Sequence, residues 1–154
     1  MTEEVEMTEE IRIQKETQIQ APSRLIRDTI LDTENYPSFL DSIRKSYVHE
    51  SEEGFSDVLF HAKVLMFPIQ FRMHTQLEDE SVIHFHQISG YFEKLEGTWT
   101  LEDEGKLTNL KFDATFKMPP GAIPTLIKAC KDHFFPEIID FFQNEIQKRI
   151  RASA

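Results

Sequence analysis

The feature that most constrains the fold of this chain is a change of hydrophobic period near residue 120. From Leu107 to Met118 apolar and polar residues alternate, as in a half-buried strand; Pro119-Pro120-Gly121 then interrupt the pattern. From about Ala122 to Ile150 the apolar residues Ile123, Ile127, Cys130, Phe134, Ile138, Phe142, Ile146 and Ile150 recur every three or four positions. Leu126, Phe135, Ile139 and Phe141 widen the stripe, which predicts one long amphipathic helix. So broad an apolar face needs an equally large apolar partner. Pro136 falls inside the helix, removes the hydrogen bond to the carbonyl of Asp132 and predicts a kink. A bend that follows a curved sheet is the preferred reading, with a hinge for the first half of the helix as the alternative.

The rest of the chain supplies the partner as strands. Ile11, Ile13, Thr17 and Ile19 alternate with polar residues in a first strand, which Ala21-Pro22-Ser23 ends. A short helix with Leu25, Ile26, Thr29 and Ile30 on its buried side follows, then a second begun by Asn35-Tyr36-Pro37-Ser38-Phe39-Leu40. Strand signals then run near 43–50, 55–66, 68–78, 81–89, 91–103 and 106–118. Turn signals separate them at Glu53-Gly54, Phe67-Pro68, Asp79-Glu80, Gly90 and Glu104-Gly105. Gly97 inside a strand predicts a bulge or bend. Parity places Phe60, Ala62, Val64 and Met66 on one face, continued by Ile69, Phe71, Met73 and Leu77. A turn at Phe67-Pro68 would set Ala62 opposite Met73 and Val64 opposite Phe71. Ile83, Phe85, Leu95, Trp99, Leu101, Leu110, Phe112, Ala114 and Phe116 extend that apolar face, which must receive the helix. The other face carries His61, Lys63, Gln70, Arg72, His74, Gln76, His84 and His86.

Composition narrows the function. The formal net charge of -10 leaves no basic stripe for phosphates, so nucleic acid is not an expected partner. One cysteine, Cys130, excludes an intrachain disulfide and fits a reducing compartment, where a buried small hydrophobe is its expected role. Residues 1–9 read as a disordered acidic lead-in and 10–151 as a single ligand-binding domain. No secretory signal and no span of ~18 apolar residues is present, so the protein is expected in the cytoplasm. The oligomeric state is left open.

The order strand, two short helices, six strands, long helix resembles the START-like, or SRPBCC, helix-grip proteins. The resemblance is greatest to the polyketide cyclase/dehydrase group, which includes the coenzyme Q-binding proteins. The residues that carry it are Tyr36-Pro37-Ser38-Phe39-Leu40, the run Ser89 to Leu101 with Gly90, Phe92, Leu95 and Trp99, and the MPPGAIP stretch before the last helix. The resemblance covers roughly residues 9 to 150. It implies an α+β fold: a curved antiparallel sheet of about seven strands, two short helices, and one long C-terminal helix gripped by the sheet. It also implies a lipid, prenylated quinone, steroid or polyketide bound between sheet and helix.

The expected cavity is lined from the sheet by Phe60, Val64, Phe71, Met73 and Phe85, and by Trp99, Phe112 and Phe116. From the helix come Ile127, Phe134 and Ile138. A void of several hundred Å3, on the order of ordinary ligand pockets, is expected unless these side chains interdigitate and fill it. The expected role is carriage or chaperoning of a hydrophobic molecule. A polyketide aromatase/cyclase and a ribosome-associated interaction module are the alternatives. No Ser-His-Asp elbow, phosphate loop or dinucleotide fingerprint is present, so no catalytic residue and no cofactor is assigned. Thr75, Thr115, Tyr36 and Asp113 are polar groups that an enzyme of this shape would draw on. With tight hairpins His61 and His74 would face each other beside His84 or His86, but no carboxylate or cysteine completes a set and no metal is assigned.

Overall fold

The computed structural model describes residues 9–153; residues 1–8 of the acidic lead-in lie outside the described residues. Strand β1 (Glu10–Ile19) is followed by helix α1 (Ser23–Leu31) and a 3-10 helix at Thr33–Ser38. Six strands come next: β2 (Ile43–Glu52), β3 (Phe55–Val64), β4 (Phe67–Asp79), β5 (Val82–Gly90), β6 (Lys94–Glu104) and β7 (Leu107–Lys117). The chain ends in a long interrupted helix: α2 (Pro124–Ala129), a π-helical turn at Cys130–Phe134, and α3 (Ile138–Ser153). No helix among the described residues is long and apolar enough to cross a membrane.

The strands form one antiparallel sheet in the order β1-β7-β6-β5-β4-β3-β2. From β2 to β7 the sheet is a meander of successive hairpins. The segment holding α1 and the 3-10 helix carries the chain from the β1 edge to the β2 edge. Because side chains alternate, one face gathers Phe60, Phe71, Ile83, Leu95, Trp99, Leu110, Phe112 and Phe116, all buried beneath the helix.

The β3–β4 turn differs from its expected place. Val64 pairs with Phe67 and the loop is Leu65-Met66, so Ala62 faces Ile69 and Phe60 faces Phe71. Met66, expected on the apolar face, is 79% exposed at the hairpin tip. Pro68 misleads as a turn signal because this strand position tolerates it. The Lys63 N–H turns away to the Ser42 carbonyl at 2.8 Å, so Lys63 and Pro68 form a pair without ladder hydrogen bonds. The nitrogen of Pro68 then points past the end of β5, and no bond is lost. The slip is an even number of residues, so the buried faces are those that parity assigns.

The C-terminal helix is interrupted where Pro136 removes a donor. The Phe135 N–H reaches back five residues to the Cys130 carbonyl at 3.2 Å, the signature of a π turn, and the Glu137 N–H returns to His133 at 3.0 Å. At this turn the consecutive residues Phe134 and Phe135 are both buried. Ile123, counted in the stripe, is 48% exposed, because it precedes the first turn and nothing covers it. Beyond the interruption Arg149 anchors α3, with Nη2 2.8 Å from Asp32 and Nε 3.0 Å from Glu145.

Three measurements check this fold. A Cβ at Gly97 would sit 2.4 Å from the Asp113 carbonyl oxygen and 2.5 Å from the Phe85 ring. Gly97→Ala is expected to cost about 1–3 kcal/mol in urea denaturation. On the outer face Arg72 grips Asp57 with two hydrogen bonds, at 2.7 and 2.6 Å, which hold the Asp57 carboxyl below its usual range. A depressed carboxyl stabilises the fold above its unfolded value, near ~3.9, and the contribution is lost as pH falls through the folded value. Asp57→Asn should therefore cost about 1–2 kcal/mol at neutral pH and almost nothing in strong acid. Burial pushes the Cys130 thiol up to about 12. Its alkylation in the native protein should be on the order of a thousandfold slower than that of a free thiol, and should match it once unfolded.

Candidate functional site

Between the inner face of the sheet and the interrupted helix lies an apolar cavity of about 80 Å3. Of the residues expected to line it, Phe60, Phe71, Met73 and Phe85 do so from β3, β4 and β5, and Trp99 and Phe112 from β6 and β7. Phe134 and Ile138 line it from either side of the helix interruption. Three expected residues lie elsewhere. Val64 is buried at the far end of β3, and Phe116 is covered by Phe135, with ring centres 4.4 Å apart. Ile127 packs half-buried on the core from α2.

The volume is well below the several hundred Å3 expected and below the ~300–1,000 Å3 of ligand pockets. Aromatic packing explains the difference. Tyr36 stacks on Phe60 at 5.5 Å, Phe85 stacks on Phe112 at 5.9 Å, and Trp99 lies 4.5 Å from Phe112 and 5.0 Å from Phe142. The rings fill most of the space that the curvature of the sheet leaves.

The polar lining is sparse and sorted by position. Asp41 and Ser42, from the loop before β2, and Glu137, just past Pro136, border the cavity. Asp41 and Glu137 are exposed, so they mark its mouth. Inside, Thr75 is 5% exposed on β4, between Met73 and the far end of the strand. Tyr36 is engaged: its hydroxyl donates to the Ile30 carbonyl, and burial raises its pKa, so it keeps its proton. Ser46, opposite Phe60 in the β2–β3 ladder, has a buried hydroxyl with no hydrogen-bond partner. Asp113 and Thr115, weighed above as catalytic groups, lie on the outer face. There Arg12 binds Asp113 at 3.0 and 2.7 Å. Sequence reasoning missed Asp41, Ser42 and Glu137. The usable signal was their position beside breaks in the helices, the Tyr36–Leu40 segment and Pro136.

The histidines do not gather as expected. His61 pairs with Gln70, because of the shifted turn, and His84 lies 3.0 Å from Glu78. His74 and His86 face each other across β4 and β5, with ring centres 5.3 Å apart. Among the described residues no group of three His, Cys, Asp or Glu is close enough to hold a metal ion.

The fold has close counterparts among solved structures. The Zhui aromatase/cyclase from Streptomyces sp. R1128 superposes with a TM-score of 0.83 at 16% identity, over 95% of this chain and 99% of its own. TTHA0849 from Thermus thermophilus gives 0.78 at 19% identity, over 94% and 99%. The STAR-related lipid transfer protein from Xanthomonas axonopodis gives 0.73 at 10% identity, over 88% and 85%. At these identities the likeness is one of fold. No curated protein matches the sequence significantly. The family model for "Polyketide cyclase / dehydrase and lipid transport" matches residues 19–143, most of the chain. With its helix-grip architecture, this chain belongs to the polyketide cyclase/dehydrase and lipid transport family.

Proposed function

We propose that the protein binds a hydrophobic small molecule, a lipid or prenylated quinone, between the sheet and the C-terminal helix, and acts as its carrier or chaperone in the cytoplasm. The observation that carries this reading is the aromatic-lined cavity, whose mouth coincides with the interruption of the helix. Phe60, Phe71, Met73, Phe85, Trp99, Phe112, Phe134 and Ile138 would contact the ligand, and Val64, Phe116 and Ile127 would support them. Each Å2 of apolar surface removed from water contributes ~25 cal/mol. A molecule of quinone size exceeds 80 Å3, so its binding requires the wall to move outward. The π turn and Pro136 are where that movement costs least, because the helix there has already given up regular hydrogen bonds. Arg149 meanwhile holds the far half of the helix to Asp32.

Polyketide cyclisation is the second reading, favoured by the superposition on the Streptomyces aromatase/cyclase. The lining counts against it. Among the described residues Thr75 is the one hydroxyl on the sheet wall, the Tyr36 hydroxyl is taken by a backbone carbonyl, and no acid–base pair converges inside.

Native mass spectrometry of the purified protein, followed by organic extraction, tests the proposal. A stoichiometric apolar molecule is expected. Phe141→Asp, at the half-buried rim of the cavity, should abolish co-purification while leaving the circular dichroism spectrum unchanged. Protein that carries no ligand, and takes none up from lipid or quinone dispersions, would overturn the carrier reading.

A further inference from the structure

We infer that the cavity selects amphiphiles whose polar end donates hydrogen bonds, a hydroxyl or an ammonium, and rejects those that end in a carboxylate or phosphate. This deepens the proposed function and rests on the cavity being a ligand site. Two independent observations carry it.

The first is the charge of the mouth. Among the described residues the charged side chains that border the cavity are both carboxylates, Asp41 and Glu137, and no Lys, Arg or His lines it. The imidazole Nδ1 of His133 lies 3.8 Å from Glu137, on the exposed side of the helix turn. Glu137 sits immediately after Pro136, and Asp41 ends the segment that follows the 3-10 helix, so two separate chain breaks bring the acids to one opening. An apolar tail threaded past them leaves its polar end beside two carboxylates, which only accept, and the Ser42 hydroxyl, which accepts or donates. A hydroxyl or ammonium donates to them. A carboxylate or phosphate finds no cationic side chain among the described residues of the lining, loses part of its hydration and is repelled by both acids, within the field of a chain of net charge -10.

The second is Thr75. It is 5% exposed and brings a hydroxyl to the sheet wall of the cavity. A ligand atom inside the cavity can exchange a hydrogen bond with it. Thr75 is an uncharged hydroxyl, so the group it suits is a neutral one such as a hydroxyl or carbonyl. The interior therefore offers an anion no more than the mouth does.

Trp99, the single tryptophan, lines the cavity, and its fluorescence reports occupancy of the full-length protein. Titrations with decan-1-ol, decylammonium and decanoate at neutral pH should show the alcohol and the amine binding and decanoate weaker by about tenfold, the repulsion of two carboxylates acting through water. High salt should narrow the gap. The double substitution Asp41→Asn with Glu137→Gln, both at exposed positions, should bring decanoate to within about twofold of decanol and weaken decylammonium. Decanoate that binds as tightly as decanol, or a double variant that alters no ranking, would overturn the selectivity while leaving the ligand cavity standing. If none of the three probes moves the Trp99 signal, the cavity reading falls, and the selectivity with it.

Discussion

Where the C-terminal helix crosses the sheet, the Phe142 ring meets Trp99 at 5.0 Å and Tyr36 and Phe39 at 5.3 Å each, and the rest of the structure depends on this contact. It joins three parts of the chain that are distant in sequence: the 3-10 segment, strand β6 and helix α3. Phe142 is 1% exposed, and a side chain of that size buried so fully contributes roughly 1.5–3 kcal/mol, with a further ~0.5–1.5 for each well-placed aromatic pair. Arg149 adds a polar tether one helical stretch later, paired with Asp32 and lying 5.9 Å over the Phe39 ring.

The cavity is a consequence of that anchoring and of the interruption beside it. The interruption falls at two consecutive aromatic residues, Phe134 and Phe135. Both are buried and both line the cavity, and Phe135 also packs on Phe116 and Phe92. The same defect leaves Glu137 at the rim and a stretch of backbone with few regular hydrogen bonds above an aromatic lining. Packing density and access are thus set by one local feature: rings that close the space down to about 80 Å3, under the segment best able to give way.

Much of the architecture was legible in local patterns. The period of two along the strands decides which side chains share a face. That parity survived the misplaced β3–β4 turn, because the error was an even number of residues. The buried state of Cys130 and the interruption at Pro136 could be read from the helix stripe, since both depend on position within one element. Positions at element ends were misread. Met66 and Ile123 fit the periodicity, yet nothing packs over them, because periodicity carries no information about where the covering element stops.

By itself the sequence determined the element order, the apolar face of the sheet and eight of the residues around the cavity, because these follow from periodicities of two and 3.6 residues that act over short stretches. Only the tertiary structure decided the free volume, the convergence of Asp41 with Glu137, the placing of Asp113 outside, and the separation of His61 from His74. Each of these depends on the register between strands or on the distance between segments far apart in the chain. Those quantities are settled by how side-chain volumes fit together, which no single element's pattern contains.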